Sequence, residues 1–456
     1  LFLHPLNESI TGCGSVGAVK VHLSTITKFL VCILLWGIFS VSAAPLNEDP
    51  LHDKGVKTAR EGNHREGLAI LQSILNKDPN NYAVRRDVVI IATWAGDCDL
   101  ALKNYKHIEN TPQQESYVLV PVSDCLNAQN RRADAIALLE KGIAQWPKDE
   151  ELKEKLTELE AERDIDTAPA VSVSLSTDSS DQGNLEWLFE TRYSQQISKD
   201  TRAYARFLAV RADDPEFATG DLNRLGIGAI YHLNFQWAFD AEFSTDVKQS
   251  GDEGITGTVL YQPYYLWQLG LQHATFAEDV PLRAKAVGTT SDRTSAFVDF
   301  RTEDYRWTWS AGANQYDFSD NNNRKSFYTS GSYAYSLKPK LEHRVVLDLS
   351  RSKNTLPSTN TVYFNPSLDS TINLTHKTSL VYDSRFERHV DHFFVFIGSY
   401  WQKDYSSNPI YGVGLQQEYN FTDYDYFTWG AGVDSRVYDG NREQQLSVYV
   451  SYEHKF

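Results

Sequence analysis

The chain contains no methionine, only four cysteines in 456 residues, and a formal charge of -16. The missing methionine points to a non-Met start codon called too early or to a fragment. The shortage of positive charge, with no local basic patch, argues against a nucleic-acid partner and leaves room for a cationic one. Beyond Ala44 no apolar run approaches the roughly 20 residues a spanning helix needs. Chemistry-bearing motifs are also scarce. His232, His273, His343, His376, His389, His392 and His454 fall at no metal-ligand spacing, and no Gly-rich phosphate cradle occurs. No metal, no cofactor and no enzymatic step are expected, and the densest cluster, Arg388, His389, Asp391 and His392, reads as a solvated turn.

What the chain does have begins with an export signal. Lys28 precedes the apolar run Phe29 to Phe39, and Ser40-Val41-Ser42-Ala43-Ala44-Pro45 places small residues where a signal peptidase reads them. Residues 1–43 are therefore expected to be leader and signal peptide, cleaved after Ala43. This removes Cys13 and Cys32 and leaves Cys98 and Cys125 as a pair open either to a disulfide or to two free thiols.

Residues 44–166 repeat with a period of 34, seen in Gly67, Ala101 and Ala135 and, four positions later, in Leu71, Tyr105 and Leu139. That is the tetratricopeptide period. Small residues allow close helix contact, bulky ones fill the groove, and Pro79, Pro112 and Pro147 close each unit. A stack of this kind presents a concave face on which a periplasmic partner can dock.

Residues 167–456 change period to two. In the last strand Leu446, Val448, Val450, Tyr452 and Phe456 point one way, and Ser447, Tyr449, Ser451, Glu453 and Lys455 the other. About 16 such segments are expected, closing into an antiparallel transmembrane β-barrel. A mean hydropathy of -0.44 does not oppose this, because half of each strand faces water. Short connections (197–200, 233–235, 262–263, 302–304, 337–340, 384–389 and 421–423) alternate with longer ones (213–222, 277–292, 317–323, 352–370 and 438–443). Short periplasmic turns, long extracellular loops and an even strand number are the outer-membrane pattern. Aromatic residues beside the short turns, among them Phe235, Trp237, Tyr264, Tyr265, Trp267, Trp307 and Tyr333, suggest an interfacial girdle.

Parity also sorts the charges. Where Trp237, Phe239, Ala241 and Phe243 face lipid, Asp240, Glu242 and Asp246 must face the lumen. The same argument turns Glu186, Glu190, Asp299, Glu342, Asp348, Glu418, Asp434 and Glu453 inward, together with Arg192, Arg206, Arg301, Arg344 and Arg436. The acids are candidates for contact with cargo, since low-dielectric walls focus a field onto a passing solute. Lumen ion pairs are the competing reading.

Thr361-Val362-Tyr363-Phe364-Asn365-Pro366-Ser367-Leu368-Asp369 resembles the Tyr-Phe-Asn-Pro-x-x-Asp segment of exopolysaccharide export porins. Residues 437–445, Val-Tyr-Asp-Gly-Asn-Arg-Glu-Gln-Gln, are similar to the matching segment of the porins that export poly-β-1,6-N-acetyl-D-glucosamine. The resemblance implies a 16-stranded outer-membrane barrel passing a biofilm polysaccharide, with periplasmic repeats that bind a polysaccharide deacetylase and an acidic lumen that attracts the partly deacetylated glycan. The repeat region is shorter than in that family, and His454 replaces a Tyr often found near the end. Export of cellulose or another exopolysaccharide, a barrel hydrolase and a surface receptor are the alternatives.

Overall fold

The computed structural model describes residues 50–456 except 113, 130, 214–218, 235, 249–252, 265, 303–304, 383–387 and 404. The expected leader and signal peptide, and the expected girdle positions Phe235 and Tyr265, lie outside the described residues. The chain divides between Asp166 and Thr167 into two compact units.

The first unit is helical: α1 (Pro50–Arg60), α2 (His64–Leu75), α3 (Tyr82–Trp94), α4 (Cys98–Tyr105), α5 (Leu119–Ala128), α6 (Arg132–Gln145) and α7 (Glu150–Thr167). The helices α2, α4 and α6 begin one sequence period apart, so the first six form three successive hairpins. Gly62 and Gly96, at φ of 93° and 77°, make the tight turns into α2 and α4. Asn81 and Asp97 cap α3 and α4 through the amides of Val84 and Leu100. The periodic positions form the interior, with Leu71, Ala101, Ala135 and Leu139 at 0% exposure. Gly67 is small because a Cβ there would meet the Gly55 carbonyl of α1 at 2.7 Å. Cys98 and Cys125 are joined as a disulfide, with Cα atoms 5.1 Å apart, tying α4 to α5.

The second unit is a closed antiparallel barrel of 16 strands in simple up-and-down order. Its strands run from β1 (Ala170–Ser180), β2 (Leu185–Ser198), β3 (Thr201–Asp213), β4 (Gly220–His232), β5 (Trp237–Asp246), β6 (Gly254–Tyr264), β7 (Trp267–Ala274) and β8 (Ser291–Arg301) to β9 (Trp307–Phe318), β10 (Asn323–Lys338), β11 (Leu341–Asn354), β12 (Leu368–Tyr382), β13 (Arg388–Gln402), β14 (Asn408–Thr422), β15 (Asp425–Tyr438) and β16 (Asn441–Lys455). Closure comes from β1 pairing with β16, Ala170 opposite Lys455 and Ser180 opposite Gln445. Every strand thereby has two neighbours, and no edge of backbone donors is left to lipid. Chain entry and exit lie at one end with the short turns, the periplasmic end of such a barrel.

Register fixes the faces. Ile227, Ile255, Ile397 and Val413 are more than half exposed on the outside, whereas their neighbours along each strand point inward. At the periplasmic end the outward ring pairs Trp237–Tyr261, Trp267–Phe300 and Trp307–Tyr333 meet across strands with centroids 4.3, 4.6 and 4.4 Å apart, the first stacked and the other two tilted. They form the girdle. Inside, aromatic side chains lie over glycines directly opposite them: Tyr204 over Gly228, Phe297 over Gly270, Tyr328 over Gly312, Phe396 over Gly412 and Tyr449 over Gly430. The missing Cβ makes room for each ring, and the ring covers the bare backbone.

Some connections differ from the sequence reading. Residues 438–443, expected as a long loop, contain a two-residue turn, because β15 and β16 stay paired up to Tyr438 and Asn441. Asp439 and Gly440 both lie at positive φ, 47° and 81°, the geometry whose twist matches paired strands. Residues 319–322 similarly form a tight connection with Asn321 at φ 70°. Gln262 and Pro263, expected as a turn, fall inside β6 at a register shift between Tyr261 and Tyr264. A proline is tolerated at such an irregularity because it owes the ladder no donor.

Candidate functional site: the barrel lumen

All eleven carboxylates picked out by parity occupy inward register positions. Glu186 and Glu190 share the face of Arg206 across β2 and β3, Asp240, Glu242 and Asp246 face β4 positions 230, 228 and 224, and Asp299 faces Gln268. Glu342 and Asp348 oppose Ser379 and Asn373. Glu418 opposes Thr428, Asp434 opposes Gly412, and Glu453 opposes Tyr426.

Their chemistry is not uniform. Glu242 is 2.6 Å from Arg206, Glu342 is 2.6 Å from Arg344, and Asp434 is 2.5 Å from Arg436. Asp240 accepts from the Tyr204 hydroxyl at 2.9 Å, and Tyr204 in turn carries the Arg192 guanidinium 3.7 Å above its ring. Asp348 accepts from Ser330, Glu418 from Gln416 with His392 at 2.9 Å, and Asp246 from the amides of Asn223 and Lys248. Glu186 is also engaged. Glu190, Asp299 and Glu453 form no hydrogen bond or ion pair with a described residue. The lumen is therefore a mosaic of arginine-paired, hydrogen-bonded and unengaged carboxylates, and Arg202, Arg224, Arg293, Arg324 and Lys377 share the inward face with the arginines read from the sequence.

The glycines of β4 explain how the β3 and β5 side chains meet. A Cβ at Gly226 would sit 2.8 Å from the Glu242 carboxylate, and one at Gly228 would sit 2.4 Å from the Tyr204 ring. Both side chains lie across β4 because β4 offers no obstacle.

The connection between β7 and β8 reaches into the barrel. It carries α8 (Leu282–Ala286), which packs on β4 and β3. Glu278 meets inward-facing Arg206 at 2.8 Å and Arg224 at 3.1 Å. Arg224 is fully buried, donates to Ser244 at 2.7 Å, and lies 4.0 Å from the Phe276 ring centroid. Asp279 accepts from Arg293 at 2.8 Å and from the Tyr316 hydroxyl at 2.5 Å. Parity sorts strands and is blind to loops, so these residues escaped it. The signal was present in the apolar run of Phe276, Ala277, Val280 and Ala284, which is unusual for a loop in water and is buried here.

The segment that carried the family resemblance holds this loop down. Tyr363 is 4% exposed, clusters with Ala277, Val280 and Ala284, and stacks on Phe318 at 5.4 Å. The Asn322 side chain donates to Asn354, Tyr363 and Asn365, and its carbonyl accepts from the amides of Thr355 and Leu356. Asn365 is 1% exposed, so each of its polar atoms must be satisfied within the protein.

The sequence cluster Arg388, His389, Asp391 and His392 is split by the barrel wall. His389 faces outward between the rings of Tyr382 and Tyr419, at 4.8 and 4.3 Å, while His392 faces inward toward Ser379 and Glu418. In the helical unit a polar chain crosses successive hairpins. His52 contacts Asp87 at 2.7 Å, Arg86 contacts Asp87 at 3.0 Å and Glu115 at 2.8 Å, and Tyr117 donates to Glu115 at 2.5 Å. The Tyr117 hydroxyl, and then Arg86, hold the Glu115 carboxyl below the usual range against its partial burial.

Comparison with known proteins agrees with this architecture. A solved bacterial polysaccharide outer membrane secretin superposes with a TM-score of 0.57 at 22% identity, covering 64% of this chain and 99% of that one. Two curated relatives, the poly-beta-1,6-N-acetyl-D-glucosamine export proteins of Escherichia coli K12 and of Escherichia coli O157:H7, are each 27% identical over 198 residues. That alignment spans 42% of this chain and 23% of each relative. Residues 168–456 match the model of the PgaA membrane beta barrel domain, so the chain belongs to that family and is a protein of the outer membrane.

Proposed function

We propose that this chain passes partly deacetylated poly-β-1,6-N-acetyl-D-glucosamine outward across the outer membrane without covalent chemistry. The observation that carries the reading is the inward face: carboxylates on many strands, three paired with arginine, with Glu190, Asp299 and Glu453 making no hydrogen bond or ion pair with a described residue. A conducting pore must hold its cargo weakly at many points, and separated carboxylates screened over about 8 Å at physiological salt provide that. Support for polysaccharide as the cargo comes from the family and from the export function of the relatives. The helical hairpins are read as tetratricopeptide repeats that receive a periplasmic polysaccharide deacetylase, on the strength of their period and of the polar chain from His52 to Tyr117.

The test is surface polymer measured in strains with matched levels of folded barrel. The triple variant Glu190→Gln/Asp299→Asn/Glu453→Gln is expected to lower secretion of partly deacetylated polymer more than any of its single components. Undiminished secretion would remove electrostatic guidance by these groups. The inward rings of Tyr204, Phe297, Tyr328, Phe396 and Tyr449 favour a second reading, in which sugar faces slide over aromatic surfaces and the cargo is a neutral glycan such as cellulose.

A further inference from the structure

The outward surface near the extracellular rim carries an uneven distribution of positive charge. Lys325 on β10 stands directly opposite Lys353 on β11, and Lys353 stands opposite Leu368 on β12. The Leu368 carbonyl accepts from the Lys403 amide at 2.8 Å, which extends the same row to the residue after β13. One step toward the membrane centre the next row runs Phe327, Arg351, Ser370 and Trp401. Lys325, Arg351 and Lys353 occupy outward register positions, and Lys403 continues the parity of outward Trp401. All four cations are exposed.

None of the four forms an ion pair with a described residue. Two other rim cations, by contrast, are matched: Arg211 with Asp213 at 3.1 Å and Lys248 with Asp221 at 3.2 Å. On the neighbouring strand β9, outward Asp317 is engaged by Gln315 at 3.0 Å and by Asn323. Adjacent strands are spaced about 4.8 Å apart, so the row from Lys325 to Lys403 extends roughly 14 Å along the rim.

Below the cations lies a groove of about 340 Å³ lined by Phe327, Leu349, Arg351, Ile372, Ser399 and Trp401. Phe327, Leu349, Ile372 and Trp401 are 51%, 38%, 47% and 38% exposed. Apolar surface beneath a band of unmatched cations, on the lipid side and at the extracellular end, fits a lipid with several acyl chains and more than one phosphate. The long stems of the cations can lie on the apolar surface while their heads reach the headgroup.

We propose that Lys325, Arg351, Lys353 and Lys403 bind the phosphorylated glucosamine headgroup of lipid A in the outer leaflet, with its acyl chains along the Phe327–Trp401 groove. Cations near an anionic lipid surface act additively, and phosphate oxygens accept charge-assisted hydrogen bonds from Arg in particular.

The test is native mass spectrometry of the full chain in detergent, titrated with bis-phosphorylated lipid A, dephosphorylated lipid A and phosphatidylglycerol. The native chain is expected to retain the bis-phosphorylated form over both others. The variant K325Q/R351Q/K353Q/K403Q is expected to lose about tenfold or more of that retention. The variant R211Q/K248Q, which removes the matched rim cations, should retain it fully. Equal retention by the two variants, or phosphatidylglycerol bound as well as lipid A, overturns the site. Heat-modifiable mobility establishes that each variant is folded. Should the fourfold variant not fold, the charge-preserving K325R/K353R/K403R must keep the preference while removal of the lipid phosphates abolishes it in the native chain, and any other outcome again overturns the proposal.

Discussion

Leu71 and Leu139 in the helical unit are fully buried, whereas Ile227, Ile397 and Val413 in the barrel are 65%, 62% and 55% exposed, although all five are aliphatic. The helices pack apolar stripes against one another and turn Glu, Lys and Arg outward. The barrel does the reverse, because lipid surrounds it and water fills it, so Arg224 and Asp434 are among its best-buried side chains. Cohesion differs accordingly. The hairpins depend on close packing of side chains, and the barrel on an unbroken ladder of backbone hydrogen bonds that lipid cannot replace. One kind of substitution should therefore have opposite consequences in the two units.

The largest effect is expected from Leu139→Ala, which empties the centre of the helical core at a cost of about 2–5 kcal/mol. The helical signal in thermal melts should fall sharply while heat-modifiable mobility of the barrel stays unchanged. Loss of both together would show that the units do not fold independently. Next, Val448→Arg on the lipid face should cost roughly 2–4 kcal/mol if the position lies near the membrane midplane. Asp299→Arg on the lumen face should leave folding yield within experimental scatter, and equal yields would break the assignment of faces.

Removal of the disulfide, as Cys98→Ser/Cys125→Ser, should lower stability of the helical unit by about 3 kcal/mol on the loop-entropy argument and leave the barrel untouched. Chemical denaturation followed separately by circular dichroism and gel mobility distinguishes the two. The smallest effect concerns Glu115. Its folded-state pKa is depressed, chiefly by the Tyr117 hydroxyl and then by Arg86, so its contribution is present above the unfolded value of about 4.3 and disappears as pH falls through the lower folded value. Glu115→Gln should slightly lower the helical unit's stability at neutral pH, flatten its acid limb, and leave stability below the folded-state pKa unchanged.

The two units were legible to different depths. Period two is strict wherever one face meets lipid and the other water, so the strands, their number and the inward carboxylates could be read directly. The 34-residue spacing showed where the hairpins repeat because Gly67, Ala101 and Ala135 permit contacts that larger residues would block. Pairing partners were not legible. Arg206 reaches Glu242 from two strands away, and Glu278 arrives from a connection whose residues follow no period. The same holds for Asn322, whose contacts with Asn354, Tyr363 and Asn365 depend on two connections meeting. Loop length was misjudged at 438–443 because turn-forming residues mark a reversal of the chain without fixing how far the ladder runs toward it.

The pairing of Ala170 with Lys455 makes the barrel a ring whose clasp consists of the first and last strands. Hairpins can form as soon as neighbouring strands exist, but the clasp waits for the final residues of the chain, the longest sequence separation in the molecule. Until then β1 exposes a row of unpaired backbone groups that could pair with any free strand. The cell therefore has reason to deliver this chain to the membrane only when its last strand is ready, and a lesion in residues 441–455 should strand an open sheet instead of producing a weaker pore.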